Sequence, residues 1–175
     1  YGHATRAAAI MQSIANRIPN VYFHIFTQAP EWIFEESIPN RFQYHYLLTD
    51  IGFIQNSPFN ENVNATIDRL KQFYPLPESF IDQAANELLK NRVTCAICDI
   101  APMGILAAKK ANIPSVLVEN FTWSWIYQPY QNENQQFKTY IELLESYSNC
   151  ATYHIQVEPI CQVSATCDLK TNPVS

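Results

Sequence analysis

The sequence predicts an α/β fold with a mainly parallel sheet and helices on both of its faces. Three observations carry that expectation. Short β-branched and aromatic runs alternate with helix-period segments, the order that generates βα units. The runs 94–100 (TCAICDI) and 115–118 (SVLV) are apolar on both faces, as central parallel strands are when helices cover both sides. A small Gly2-His3 turn runs straight into a helix-period segment (Ala7, Ala8, Ile10, Met11, Ile14, Ala15, Ile18). A first crossover begins this way at the carboxyl end of a first strand. Together these predict a Rossmann-like arrangement. No apolar run stands before the turn, so the expectation is a piece of a longer protein cut just after its first strand. Activity is then expected of the intact parent rather than of the piece.

The elements follow in order. A helix is expected over 4–18, stopped by Pro19-Asn20. The run 21–27 (VYFHIFT) is a strand. Gln28-Ala29-Pro30 turns the chain, and 31–36 reads as a short helix just behind Pro30. The run 42–48 (FQYHYLL) is a second strand, with Tyr and His in its polar slots. The stretch 49–62 is the longest irregular segment, and loops of that length are usually functional or mobile. Helices are expected over 64–73 and 78–90, separated by Pro75-Leu76-Pro77. The strand 94–100 follows, and Pro102 starts a helix through about Ala111. The next strand, 115–118, ends at Glu119-Asn120. The segment 121–130 (FTWSWIYQPY) is dense in aromatics; a helix over 133–148 and a strand over 152–157 (TYHIQV) come after it. Beyond Glu158-Pro159 no periodicity is visible.

Composition narrows the function classes. A length of 175 residues is the natural size of one domain, and 47% apolar residues is ordinary for a globular chain. The net charge is −5 with scattered basic residues, which argues against nucleic acid as a partner. No stretch approaches the roughly 18 to 20 apolar residues of a membrane span, and no signal-peptide pattern is visible. Gly2, Gly52 and Gly104 are the only glycines, too few for a glycine-rich phosphate loop. The five cysteines form no regular framework and fit a reducing, cytoplasmic setting. Cys95 and Cys98 lie three apart on a predicted strand, hence on opposite faces, and cannot chelate one ion together. Cys150, His154, Cys161 and Cys167 match no common zinc spacing.

In parallel sheets, ligands bind outside the carboxyl ends of the strands. The residues expected there are Gly2, His3, Thr27, Gln28, Thr49, Asp50, Asp99, Glu119 and Asn120. They are rich in groups that suit hydroxyl-bearing ligands. Two helix N-termini, after His3 and at Pro102-Met103-Gly104, would favour an anion such as phosphate. Each residue also has a structural reading. His3 and Asp99 could serve as helix caps. Glu119 is a hydroxyl acceptor or a rim charge. Trp123 and Trp125 share a face if extended, where one could stack on a sugar ring, and diverge if helical.

The segments GHATR (2–6), TQAP (27–30), TDIGFIQ (49–55), CDIAPMG (98–104) and VENFTWSWIY (118–127) resemble bacterial glycosyltransferases related to the peptidoglycan N-acetylglucosaminyltransferase. They are also similar to the glycosyltransferase-like amino-terminal domain of plant L-arabinokinase. The resemblance implies one half of a GT-B architecture, the acceptor-side domain, with the donor domain outside this chain. It implies hexosyl transfer from a UDP-sugar to an acceptor hydroxyl, with no metal or other cofactor. The implied partners are a nucleotide-sugar donor, a sugar or lipid-linked acceptor and the absent carboxyl-terminal domain; peripheral contact with a membrane is left open. By motif match His3 would be the catalytic base. Gly2, Thr27, Gln28, Asp99, Pro102, Met103, Gly104, Glu119, Asn120 and Trp123 would bind substrate. Two alternatives stand beside this reading: a non-catalytic sugar- or nucleotide-binding module of a multidomain enzyme such as a sugar kinase, and a nucleotide-sugar epimerase of the same fold.

Overall fold

The computed structural model describes residues 2–174, which form two compact units. One holds the described residues up to Thr49 with those after Thr171; the other is Asp50–Thr171.

The first unit opens with helix α1 (Gly2–Arg17), which buries Ala4, Ala8, Met11 and Ala15, a stripe at helical spacing. Strand β1 (Phe23–Thr27), the short helix α2 (Trp32–Glu35) and strand β2 (Phe42–Tyr46) follow. The two strands pair in parallel, Phe23 opposite Phe42 and Thr27 opposite Tyr46. Ile25, Ile33, Phe34 and Ile38 complete this core with the α1 stripe. The Tyr44 hydroxyl donates to the carbonyls of Thr27 (3.1 Å) and Ala29 (2.7 Å), which fastens the turn after β1. Gly2 and His3, expected as a turn, instead form the first turn of α1. Helical neighbours hold them there: Thr5 Oγ1 donates to the Gly2 carbonyl at 2.9 Å, and Arg6 Nη2 lies 3.1 Å from His3 Nδ1.

The second unit begins with a small antiparallel hairpin, β3 (Gln55–Ser57) and β4 (Asn60–Glu61), inside the stretch expected to be irregular. Helix α3 (Val63–Phe73) starts at Asn62, whose Oδ1 accepts from the Ala65 N–H at 2.9 Å. Helix α4 (Glu78–Lys90) starts behind Pro77. Then come β5 (Ala96–Asp99), α5 (Pro102–Lys110), β6 (Ser115–Glu119) and α6 (Trp123–Tyr127). A 3₁₀ turn (Gln128–Asn132), α7 (Gln136–Ser148), β7 (Tyr153–Val157) and β8 (Leu169–Thr171) complete it. The last four strands form one parallel sheet in the order β5-β6-β7-β8, flanked by helices, a Rossmann-like arrangement.

The runs expected at the centre of the sheet are adjacent and parallel, Cys98 opposite Leu117. Only β6 is internal, however; β5 is the end strand of this four-stranded sheet, which corrects the expectation. Its apolar outer face is accordingly left partly open, with Ile97 43% exposed. Its inner face is tightly covered. Cys98, Ile105 and Leu117 form a buried cluster that joins β5, α5 and β6. A Cβ on Gly104 would stand 2.7 Å from Cys98 Sγ, so the bare glycine is what lets α5 lie against β5. Cys95 precedes the strand and is exposed, whereas Cys98 is buried.

Strand β8 lies where no periodicity was visible. The chain between β7 and β8 crosses back over the sheet without a helix, as a strap of eleven residues (158–168), about the minimum for a parallel crossover.

Candidate functional site

Alternation along β6 and β7 decides which side chains share a face. Leu117 and Glu119 on β6 stand beside His154 and Gln156 on β7, in register as Leu117 with His154 and Glu119 with Gln156. The polar members are not on a solvent face. Glu119 is 3% exposed and Gln156 1%. The strap covers them, and its backbone bonds to Gln156.

The hydrogen bonds define one connected group. Gln156 Nε2 donates to Glu119 Oε1 at 2.7 Å and to the Gln162 carbonyl at 2.8 Å. Gln156 Oε1 accepts from the Ser164 N–H at 2.8 Å. That bonding fixes the amide orientation, because a flipped amide would set a donor against the Ser164 N–H. His154 Nε2 lies 2.8 Å from the same Glu119 oxygen. An ionised carboxylate only accepts, so this nitrogen carries the proton. Lower down the strap, the Asp168 carboxylate accepts from the His154 N–H (2.7 Å), and the Asp168 N–H donates to the His154 carbonyl (2.8 Å). At the top, the Cys161 N–H donates to the Asn120 carbonyl at 2.8 Å.

Above this group lies a hollow of about 260 Å³. Its floor is Leu117, Glu119, His154 and Gln156, and its sides come from α6, the end of α7 and the strap. Trp125 and Phe121 supply aromatic surface; Ser124, Ser148, Ser164 and Thr166 supply hydroxyls. Both bonds to Glu119 end on Oε1. Its Oε2 has no partner among the described residues, although the side chain is only 4% exposed. That oxygen is not sealed in: it is reached from the hollow, so a ligand there can donate to it.

The residues expected on the rim are divided between the two units. Glu119 faces the hollow, and Asn120 meets the strap through its backbone. Asp99 ends β5, and Ile100 after it takes a left-handed φ of 51°, uncommon for a β-branched residue. Pro102 and Met103 are buried in the first turn of α5, and Gly104 is taken up by its approach to Cys98. Trp123 and Trp125 lie on helix α6 and diverge. Trp123 Nε1 donates to Asp50 Oδ2 at 2.6 Å and its ring stacks on Tyr127, whereas Trp125 lines the hollow. Gly52 fits under Trp123, where a Cβ would stand 2.9 Å from the ring. Gly2, His3, Thr27 and Gln28 belong to the first unit, where His3 contacts Arg6, the Thr27 hydroxyl accepts from the Ala29 N–H (3.1 Å), and Gln28 reaches Tyr46. His154 and Gln156 were not among the expected site residues. The signal for them was present in TYHIQV, whose alternation puts both on one face.

Among the described residues no group of three or more His, Cys, Asp and Glu is arranged to hold a metal ion. No helix among them is long and apolar enough to cross a membrane.

A curated L-arabinokinase from Arabidopsis thaliana is 26% identical over 178 residues, a match that covers 99% of this chain. The chain spans 17% of the length of that relative. No family model and no solved structure matches the chain. The match overturns the expectation of a glycosyltransferase enzyme, because the protein that this chain is similar to along its whole length is by name a sugar kinase.

Proposed function

We propose that this chain is a sugar-binding module of a larger multidomain protein, and that it recognises a sugar without transforming it. The observation that carries this reading is the match to an L-arabinokinase over 99% of the chain and 17% of the relative. A segment of that size accompanies a much longer sugar kinase there. Fold alone does not carry an activity, so the site has to support the reading. It does so with acceptors and donors suited to hydroxyl groups, Glu119 and the hydroxyls of Ser124 and Ser164, beside the aromatic face of Trp125. Asp99 and Asn120, at the ends of β5 and β6, would extend the same polar surface. The remainder of the protein would supply the chemistry.

The test is calorimetric titration of the full chain with L-arabinose, and an assay of the same preparation for sugar consumed with ATP or with UDP-sugars. Saturable binding without turnover is the expected result. Turnover by the chain alone, or no binding of any free or nucleotide-linked sugar, refutes the reading.

A further inference from the structure

We propose that the hollow beneath the β7–β8 strap is the sugar site, and that it takes a neutral ligand of monosaccharide size rather than a nucleotide-linked or phosphorylated sugar. The inference rests on the sugar-binding reading above and names its ligand class. Three observations carry it.

The first is the unpartnered oxygen. Glu119 is held by His154 and Gln156 through Oε1 alone, which fixes the carboxylate and leaves Oε2 available to one incoming donor. A sugar hydroxyl is such a donor, and hydrogen bonds to an ionised acceptor are roughly twice as strong as neutral ones. The fixed geometry lowers the ordering cost of binding.

The second is charge. Glu119 and Glu145 both line the hollow, and no Lys or Arg does. A phosphate or diphosphate would bring further negative charge against two carboxylates with no cation to meet it. The only titratable group that could offset them there is His154, already bonded to Glu119. Phosphate recognition characteristically uses Arg, Lys or a helix N-terminus aimed at the anion; the one helix start in these walls is that of the five-residue α6, whose Trp125 N–H is already bonded to Thr122 Oγ1 at 3.3 Å.

The third is size. About 260 Å³ falls below the roughly 300–1,000 Å³ typical of drug-sized ligand sites. A single sugar ring fits such a volume, whereas the nucleotide of a nucleotide-sugar would have to lie outside it. Trp125 on α6 gives the ring's C–H face an apolar wall, while hydroxyls surround its edge.

The experiment titrates the full chain with L-arabinose and, separately, with UDP-L-arabinose. The parent chain is compared with Glu119→Gln and Ser148→Phe. Glu119→Gln keeps an oxygen for His154 and Gln156 but replaces the available acceptor by an NH₂ donor. Ser148→Phe fills the hollow from the half-buried end of α7 and leaves the hydrogen-bonded group intact, so it carries the test if Glu119→Gln does not fold. The expected result is that the free pentose binds at least tenfold more tightly than its UDP conjugate, and that each folded variant weakens the free pentose at least tenfold. Tighter binding of the conjugate, or folded variants that bind like the parent, overturns this inference and leaves the sugar-binding reading in place. Binding of neither compound overturns this inference and, where no other free or nucleotide-linked sugar binds, the sugar-binding reading with it.

Discussion

Replacing Gln156 by leucine removes the joint between the sheet and its strap at nearly constant side-chain volume. The amide is 1% exposed and makes three hydrogen bonds: to the Glu119 carboxylate, the Gln162 carbonyl and the Ser164 N–H. The bond to the charged acceptor contributes about 1.5–3 kcal/mol, and the two neutral ones about 0.5–1.5 kcal/mol each. Leucine recovers part of this by burying apolar surface, but the Ser164 N–H and the Gln162 carbonyl lose their partner. The expected net loss is about 3 kcal/mol for the unit Asp50–Thr171. The assay is urea unfolding followed by Trp fluorescence in a Trp32→Phe background, so that emission comes from Trp123 and Trp125 in that unit. With slopes of about 1–3 kcal/mol per molar urea, the midpoint should fall by roughly 1–3 M. Amide exchange should accelerate at Ser164 and Asp168 before it does in β6. A loss below about 1 kcal/mol, or unchanged protection at Ser164, would refute the claim that this side chain holds the strap. Gln156→Glu sharpens the test: it sets a second carboxylate against Glu119 and should destabilise at least as much as leucine.

Two further predictions concern the β5–α5 contact. Gly104→Ala should cost roughly 1–3 kcal/mol through overpacking against Cys98 Sγ. Cys98→Ala should recover most of that loss in the double variant, and independent, additive losses would show that the two positions do not press on each other. Burial, with smaller contributions from Cys95 and Asp99, pushes the Cys98 thiol from 9.0 up to about 12. In native protein at neutral pH, a thiol reagent should therefore label exposed Cys95 and Cys161 and reach Cys98 only on unfolding; early labelling of Cys98, mapped by mass spectrometry, would count against its burial. The linked effect on stability has a definite sign. Between pH 9 and 12 the unfolded chain releases a proton that the folded chain keeps, so this contribution is whole below that window and is lost as pH rises through it. Cys98→Ala should show a flatter decline over the same window in pH-dependent unfolding.

The sequence by itself determined most of the local structure, because local structure depends on near neighbours. Pro77 ahead of a helix-period run placed α4 at Glu78–Lys90, as expected from the residues alone. The apolar run before Glu119-Asn120 placed β6, and the alternation in TYHIQV placed β7. Gly2 and His3 were misread because glycine suggests a turn, whereas the side chains of Thr5 and Arg6 close a helical one. Strand β8 was illegible: Leu169–Thr171 is three residues long, too short for any period to register, and it exists through its pairing with β7. The end position of β5 was equally hidden, since apolarity on both faces does not count neighbouring strands. Glu119 was legible as a carboxylate at a strand end but not as a buried one. Its partner Gln156 lies 37 residues away, and both are covered by a strap with no sequence period. Only the tertiary structure decided that two half-polar strand faces meet inside the protein. Alternation fixes which side chains share a face, but whether that face meets water or another part of the chain depends on strand register and on the path of a distant connection.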